Sequence, residues 1–315
     1  MRSQRNGDHD GAAAGKLPAF SGSELNGMGA SVSESEGSLT IVGTGIKAVG
    51  QVTLEAQSHI AHADKVLYLV ADPLTVAWIM QLNSSAEDLY PLYQPGIDRL
   101  TTYYLMTDRI LECLRQKRDV CGVFYGHPGV FAFPSHEAML RARREGYRAR
   151  MLPAVSAEDC LFADLGIDPG RAGCQSYEAT DFLVHRRIID PTCGLVLWQI
   201  SVIGHVYPGM AGTAGISVLA DTLIERYGAS HQVFVYEAVP YPVCDPVIRR
   251  VKLTDLASTS LSQMSTLYVP PLAWPSFDAE VARKIGIPDE FVTKGAESAS
   301  LYDPLVPQPS SVEAA

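Results

Sequence analysis

The feature that most constrains the fold is an alternation of apolar strands and helical segments through the first half of the chain. Helical patterns separate the apolar runs, and each run is short enough to be a single strand. Apolar strands separated by helices are typical of a parallel sheet that is covered on both faces. The first half is therefore predicted to be an α/β domain with a mainly parallel sheet. Its strands are predicted at residues 38–42, 65–71, 120–125 and 148–152.

The second half has the same ingredients, but its strands follow one another more closely. Closely spaced strands favour antiparallel neighbours, so a mixed sheet is expected there. Both ends of the chain are rich in small residues, polar residues or proline, which is typical of flexible segments. We therefore expect a flexible N-terminal tail (1–36), an N-terminal α/β domain (37–152), a C-terminal α/β domain (153–287) and a flexible C-terminal tail (288–315). The later strands are predicted at 194–200, 232–236, 247–253 and 265–269.

The charge balance limits the partners of this protein. A net charge of −10 over 315 residues argues against nucleic acid and against anionic membranes, because both require basic surfaces. No apolar run reaches the roughly 18 residues of a membrane span, and the N-terminus lacks the apolar core of a signal peptide. The six cysteines form no CxxC pair, and the eight histidines show no metal-ligand spacing. We expect a cytoplasmic protein without a metal, with its cysteines buried as small apolar residues.

A glycine-rich loop directly after the first strand allows one interpretation of the function. The run Gly43-Thr44-Gly45-Ile46-Lys47-Ala48 fits the GxGxxG/A fingerprint of dinucleotide-binding proteins, with Asp72 as a candidate ribose ligand. This pattern predicts an NAD-dependent Rossmann oxidoreductase. Gly50 interrupts the helix that should follow, and Asp72 precedes a proline, so we treat this function as an alternative only.

A second glycine-rich loop follows the strand at 120–125. The run Tyr125-Gly126-His127-Pro128-Gly129-Val130-Phe131 lies at the carboxyl end of that strand, where open α/β sheets bind ligands. Its glycines allow a ligand to approach the backbone closely, and Val130 and Phe131 offer apolar surface to a flat ring. The loop predicts a nucleoside pocket. A tight strand-to-helix connection explains the same residues equally well.

Between these loops, residues 88–104 combine tyrosines with an arginine. Asp98 is predicted to cap a helix that begins at Arg99, which places Arg99 and Tyr103 one turn apart on one helix face. Tyr93 lies on the loop just before this helix, and a nearby guanidinium lowers the pKa of a phenol. The alternative is that the tyrosines are half-buried and Arg99 pairs with a surface carboxylate. The buried stripe of this helix is predicted to contain Leu100, Tyr104, Ile110, Leu111 and Leu114.

Several of these segments together resemble the tetrapyrrole methylase superfamily, whose members bind S-adenosylmethionine between two α/β domains. Within that superfamily the chain is similar to the borosin peptide backbone α-N-methyltransferases. The resemblance covers about residues 37–287. It depends on Gly43-Thr44-Gly45, the spacing of Tyr93, Arg99 and Tyr103, Gly126-His127-Pro128-Gly129, the run from Gly146 to Leu165, and Ser265-Thr266.

The resemblance implies a fold, a cofactor and a set of roles. It implies a two-domain tetrapyrrole-methylase-like α/β fold, with a parallel-rich N-terminal sheet, a mixed C-terminal sheet and the cofactor in the cleft between them. It implies that Tyr93, Arg99 and Tyr103 are catalytic. It also implies that S-adenosylmethionine is bound by Tyr125, His127, Val130, Phe131, Gln199, Ala238, Ser265 and Thr266.

The expected activity is α-N-methylation of backbone amides in a ribosomal precursor peptide by a homodimer. Fungal members of the family carry the peptide as a C-terminal extension, whereas here the similar part ends near Ile287. We therefore expect a separate precursor peptide, as in the bacterial split systems of the family. The other activities considered are a precorrin-type C-methyltransferase, the Rossmann oxidoreductase and a non-catalytic scaffold that binds the peptide.

Overall fold

A computed structural model describes residues 37–208, 214–273 and 275–298. The strands are β1 Ser38–Gly43, β2 Lys65–Leu69, β3 Glu87–Asp88, β4 Asp119–Phe124, β5 Arg148–Met151, β6 Cys174–Glu178, β7 Gly194–Trp198, β8 Gln232–Glu237, β9 Val247–Lys252 and β10 Thr266–Val269. The helices are α1 Leu54–His62, α2 Pro73–Leu82, α3 Arg99–Arg115, α4 Phe133–Arg144, α5 Ala157–Leu165, α6 Pro169–Ala172, α7 Ala179–Val184, α8 Ala214–Tyr227, α9 Ala279–Lys284 and α10 Asp289–Ser298.

The first sheet is fully parallel, and a mainly parallel sheet was predicted. Its strand order is β3-β2-β4-β1-β5, and each neighbouring pair runs in the same direction. Helices cover both faces of the sheet, because its strands are apolar on both sides and need burial there. Leu39, Met106 and Ile110 belong to the core on one face, and Val42 and Ile60 belong to the core on the other. The two-residue edge strand β3 was not predicted because so short a strand has no readable pattern.

The second sheet is mixed, which was also predicted. Its order is β6-β7-β10-β8-β9, with β6 parallel to β7 and the other neighbours antiparallel. Strand β6 was missed because its sequence, CQSYE, is polar and shows no apolar alternation. The expected domain boundary at 152/153 falls between the two sheets, and the division into separate domains stays a prediction.

A separate core joins the two sheets. Ile46, from the loop after β1, packs with Leu161 of α5 and with Trp198, Tyr236 and Tyr268 of the second sheet. The two halves therefore share buried apolar surface, which stabilises their relative position. None of the helices that the structure describes has the length and apolar content needed to cross a membrane.

Three of the five residues in the predicted buried stripe of α3 are buried. Ile110, Leu111 and Leu114 are fully buried, but Leu100 and Tyr104 are 51% and 42% exposed. In the first turns the core-facing position is taken by Thr102, whose hydroxyl donates to the Asp98 carbonyl oxygen. Thr102 can be buried because its hydroxyl is hydrogen-bonded within the helix. A prediction from the spacing of apolar residues does not take such a hydrogen bond into account.

Two further expectations need correction. Within the segment 288–315, which was expected to be flexible, residues Asp289–Ser298 form helix α10, and Val292 is buried at 1% exposure. Two acidic residues in its first turn stabilise this helix, because negative charge interacts favourably with the N-terminal end of the helix dipole. The rest of that segment and the predicted N-terminal tail lie outside the described residues. Cys244 is exposed rather than buried, and Cys174 and Cys193 are partly exposed.

Candidate active site

One cavity of about 660 Å³ lies where loops of the first and second sheets meet. This volume is within the range of roughly 300–1,000 Å³ that small-molecule sites occupy. The residues that line it are Leu69, Ala71, Asp72, Pro73, Tyr90, Tyr93, Tyr103, Phe124, Tyr125, Val130, Phe131, Ala132, Pro134, Gln199, Ala238, Pro240, Tyr241 and Met264.

The position of the cavity follows from the direction of the strands. Strands β2 and β4 are parallel neighbours, and their carboxyl ends, at Leu69 and Phe124, both reach the cavity. Open parallel sheets bind ligands at this edge because the loops that leave the strands diverge there. The second sheet closes the cavity with residues that follow β7 and β8, including Gln199 and Ala238.

The first glycine loop does not form an open cradle. A Cβ at Gly43 would overlap the carbonyl oxygen of Gly126, and a Cβ at Gly45 would overlap the Gln51 side chain. The backbone N–H groups of Ile46 and Lys47, which could hold a phosphate, both donate to Gln51 Oε1 at 2.8 Å. This loop is filled by the protein's own side chain, so the dinucleotide interpretation is not supported.

The second glycine loop forms one wall of the cavity. Gly126 pairs with Gly45 of the first loop, and the chain then turns so that Val130 and Phe131 line the cavity. Buried Ser135 fixes the turn, because its hydroxyl donates to the carbonyl oxygens of Pro128 and Ala132.

Two non-glycine residues of the cavity have a left-handed backbone. Phe131 has a φ of 51° and Gln199 a φ of 59°. Such conformations are uncommon for residues with a Cβ and cost free energy, so the surrounding packing must hold them. The Phe131 ring lies 5.6 Å from the Trp198 ring, on the second sheet, so the strained turn brings the two halves together beside the cavity.

Two of the predicted catalytic residues are in contact. The rings of Tyr93 and Tyr103 are 6.5 Å apart and nearly perpendicular, and the two phenols share a hydrogen bond. Tyr103 also stacks on Phe133 at the start of α4, with ring centres 6.0 Å apart. Tyr90 extends the cluster, with its ring 5.6 Å from that of Tyr93. A loop, a helix and the next helix thus converge on one group of phenols.

The electrostatics of Tyr93 differ from the expectation. Burial raises the pKa of Tyr93 well above its ordinary value, and the neighbouring phenols Tyr103 and Tyr90 raise it further. The Arg99 guanidinium lowers the pKa of Tyr93, as predicted, but this effect is smaller than those of burial and of the neighbouring phenols. The expectation that Arg99 makes the phenolate of Tyr93 or Tyr103 accessible therefore does not hold for Tyr93 in this conformation, because desolvation outweighs the cation.

The predicted site residues divide into two groups. Tyr93, Tyr103, Tyr125, Val130, Phe131, Gln199 and Ala238 line the cavity, whereas Arg99, His127, Ser265 and Thr266 do not. The backbone N–H of Arg99 donates to the carbonyl oxygen of Val206 at 3.0 Å, which ties α3 to the second half.

The other three residues outside the cavity wall have partners within the protein. His127 Nδ1 accepts the N–H of Gly129 at 2.9 Å. Buried Ser265 donates to Glu237 Oε1 at 2.6 Å. Thr266 is buried in β10, opposite Tyr236 of β8. In this conformation His127 and Ser265 thus make hydrogen bonds within the protein, and Thr266 is part of the buried second sheet.

Sequence reasoning missed part of the lining. Asp72 was considered only as a dinucleotide ligand, although it lies in the short connection between β2 and α2, at the carboxyl end of the strand, and that position alone could have marked it. Tyr241 and Met264 come from connections in the second half, and no sequence pattern places those connections beside the first sheet.

Burial raises the pKa of Tyr125, which also lines the cavity, to about 12.

Known proteins of similar sequence and structure identify the family of this chain. A family model for tetrapyrrole (corrin/porphyrin) methylases matches residues 38–257. Among solved structures, the uroporphyrin-III-C-methyltransferase of Thermus thermophilus is similar with a TM-score of 0.55 and 21% identity, over 75% of this chain and 93% of that one. A cobalt precorrin-4 methyltransferase gives a TM-score of 0.52 at 17% identity, over 75% and 96% of the two chains. At these identities the structures establish the fold alone.

Curated relatives are much closer in sequence. The methyltransferase/omphalotin A precursor of Omphalotus olearius is 45% identical over 82% of this chain and 63% of its own length. A gymnopeptide precursor relative from Gymnopus fusipes is 45% identical over 80% and 62%. The chain thus spans under two thirds of the length of these two proteins. The type I borosin relative of Coprinopsis marcescibilis is 42% identical over 91% of this chain and 74% of its own length.

The family model covers most of the two-sheet fold, and the borosin relatives match beyond it. The names of these relatives join a methyltransferase with a ribosomal cyclic peptide precursor. The chain therefore belongs to the tetrapyrrole (corrin/porphyrin) methylases and, among them, to the borosin precursor methyltransferases.

Proposed function

We propose that this protein transfers a methyl group from S-adenosylmethionine to backbone amide nitrogens of a ribosomal precursor peptide. The observation that carries the proposal is the convergence of Tyr93, Tyr103 and Tyr125 with the apolar wall of Val130 and Phe131 in one cavity. Phenols can move an amide proton, and an apolar wall suits a nucleoside.

The lining of the cavity fits the cofactor better than it fits a polycarboxylated tetrapyrrole. Within the described residues, no lysine, arginine or histidine lines the cavity, and its one ionised side chain is the carboxylate of Asp72. A substrate with several carboxylates would be repelled there and would find no cation to pair with. When bound, S-adenosylmethionine supplies an electrophilic methyl group on a positively charged sulfur.

The chemistry requires a base. An amide nitrogen is a poor nucleophile because its lone pair is delocalised into the carbonyl group, so the amide proton has to be removed. Burial and the neighbouring Tyr103 raise the pKa of Tyr93, so the Tyr93 phenol holds its proton firmly. We therefore assign proton removal to Tyr103. Tyr93 remains protonated and donates to negative charge that develops at the site.

Arg99 has a supporting role in this proposal. Its guanidinium is close enough to act on the pKa of Tyr93, and its backbone is tied to Val206 of the second half. A positive charge at that position stabilises the negative charge that the phenols and the imidate share during proton transfer. His127, Ser265 and Thr266 are proposed to complete the cofactor site, together with the cavity residues Gln199 and Ala238.

The proposal extends to a separate precursor peptide and to a cytoplasmic homodimer. The relatives differ in the first respect, because their names join methyltransferase and precursor in one protein. Intact-mass measurement of the purified chain with S-adenosylmethionine, with and without added peptide, tests this. Methylation of the added peptide alone supports a separate substrate, and methylation of the chain itself contradicts it. Light scattering at several concentrations tests the homodimer.

The central test is methyl transfer with labelled cofactor, read by tandem mass spectrometry on co-expressed candidate peptides. We expect methyl groups on backbone nitrogens, and Tyr103→Phe is expected to slow the transfer by about 10²–10⁴-fold, the usual contribution of a general base. The matched control is Tyr104→Phe, because the adjacent Tyr104 does not line the cavity. Methylation only on side chains, or wild-type rates in both Tyr93→Phe and Tyr103→Phe, would refute the assignment.

A further inference from the structure

Asp72 is the one ionised side chain among the described residues that line the cavity, and it lies between the two groups of tyrosines there. In the first sheet β2 lies between β3 and β4. Asp72, after β2, is therefore flanked on one side by the segment that carries Tyr90 and Tyr93, and on the other by Tyr125 after β4. A carboxylate thus shares the cavity with the phenols that are proposed to act on the amide during methyl transfer.

The protein holds the Asp72 carboxylate in place from both halves. Oδ1 accepts the backbone N–H of Thr75 at 2.8 Å and its hydroxyl at 2.9 Å, which caps helix α2. The Tyr241 phenol, from the second half, donates to the same carboxylate. Burial alone would raise the pKa of Asp72, but these hydrogen bonds outweigh it, so its pKa lies below the ordinary value. The side chain is therefore charged at neutral pH.

A negative charge in an otherwise uncharged cavity selects for positive charge in the ligand. S-adenosylmethionine carries a positive sulfonium, whereas S-adenosylhomocysteine, the product, has a neutral sulfur at the same place. The two ligands are otherwise alike, including the ammonium and carboxylate of their amino-acid part. We propose that Asp72 pairs with the sulfonium and thereby makes the site prefer the methyl donor over the spent cofactor, an inference that rests on the proposed function.

This pairing has a consequence for turnover. In the reaction the bond between sulfur and the methyl carbon breaks with its electron pair remaining on sulfur, a bond forms between the methyl carbon and the amide nitrogen, and the amide proton passes to the phenolate oxygen of Tyr103, which becomes a neutral phenol. The positive charge beside Asp72 thus disappears as the product forms. The attraction between Asp72 and S-adenosylmethionine is therefore absent for S-adenosylhomocysteine. This difference favours exchange of the spent cofactor during successive methylations.

The test is calorimetric binding of three ligands to the full chain. These are S-adenosylmethionine, S-adenosylhomocysteine and sinefungin, in which an amine-bearing carbon restores a positive charge at the sulfur position. Asp72→Asn removes the charge and keeps the cap, because asparagine is as good an N-cap as aspartate. We expect it to weaken binding of the two cationic ligands by about tenfold, as for loss of one charge pair, with binding of S-adenosylhomocysteine nearly unchanged.

Two controls separate charge from structure. Asp278→Asn makes the same change at the N-cap of α9, outside the cavity, and is expected to leave all three affinities unchanged. Tyr241→Phe removes one hydrogen bond but keeps the Asp72 charge, and is expected to preserve the preference for cationic ligands. Equal weakening of all three ligands by Asp72→Asn, or no change in any of them, would overturn the inference. Failure of the wild-type protein to bind any of them would overturn the proposed function as well.

Discussion

The two glycine loops are similar in sequence, but the first packs against other parts of the protein and the second lines the cavity. Both follow buried strands of the parallel sheet, and they pair with each other through Gly45 and Gly126. At the first loop the glycines create room that Gln51 and the second loop fill. At the second loop, Val130 and Phe131 line the cavity. A glycine pattern therefore marks a place where another group approaches the backbone closely, and the fold decides whether that group belongs to the protein or to a ligand.

Gly43→Ala should have the largest effect, because the first loop has no space. The new methyl group would overlap the Gly126 carbonyl oxygen and lie 2.7 Å from both Ala154 Cβ and Pro128 Cδ. Since all three neighbours are rigid, we expect a loss of about 3 kcal/mol or more in the free energy of unfolding, measured by denaturant titration.

The same change in the second loop should be milder. At Gly129 the methyl group would meet the flexible Met151 side chain at 3.0 Å and the His127 ring at 3.1 Å. Gly50→Ala is the control, with its nearest neighbour at 3.8 Å. If Gly43→Ala proves as stable as Gly50→Ala, the first loop is not packed as described and the contrast between the loops fails.

Unlike Gly43→Ala, which is expected to reduce stability, Phe131→Ala in the second loop should weaken ligand binding. Phe131 is 50% exposed and lines the cavity, so truncation removes surface from the proposed nucleoside site with little loss of core packing. We expect binding of S-adenosylhomocysteine to weaken by about tenfold, with the melting temperature nearly unchanged. Phe291→Ala, on α10, is the matched control. A large loss of stability with unchanged affinity would make this loop structural, like the first.

The smallest expected effect is a pH dependence from Tyr125, the residue that leads into the second loop. Burial raises its pKa to about 12 in the folded state, above that of an exposed phenol near 10. The folded protein therefore holds this proton more tightly, and stability is complete below about pH 10 and falls as the pH rises towards 12. Tyr125→Phe should show a shallower decline in alkaline unfolding curves. Identical curves for the two proteins would mean that the phenol is not desolvated.

Much of the fold was readable from local patterns. Apolar runs located β1, β2 and β4, and the Asp98 cap located the start of α3 at Arg99, because burial and capping are properties of a few neighbouring residues. Features without such patterns were missed, including polar β6 and the helix at Asp289–Ser298. The exposed positions of Leu100 and Tyr104 were missed because Thr102 takes the core-facing place through a hydrogen bond.

The candidate site was only partly readable. Tyr93, Tyr103, Tyr125 and Phe131 were named from sequence and line the cavity, but their assignment depended on a resemblance rather than on spacing. The raised pKa of Tyr93 could not be predicted, because it depends on how deeply the ring is buried and on which phenols surround it. The proximity of an arginine in sequence indicated the opposite direction.

By itself the sequence determined where strands and helices form, which faces they bury, and therefore that the first half is a parallel α/β sheet with loops at one edge. Only the tertiary structure decided which of two similar loops would be filled and which left open. It also decided that Tyr241, far along the chain, would reach Asp72 and hold a single negative charge among the phenols. The physical reason is that burial and charge at a site are sums over neighbours from distant segments, and no local pattern contains those sums.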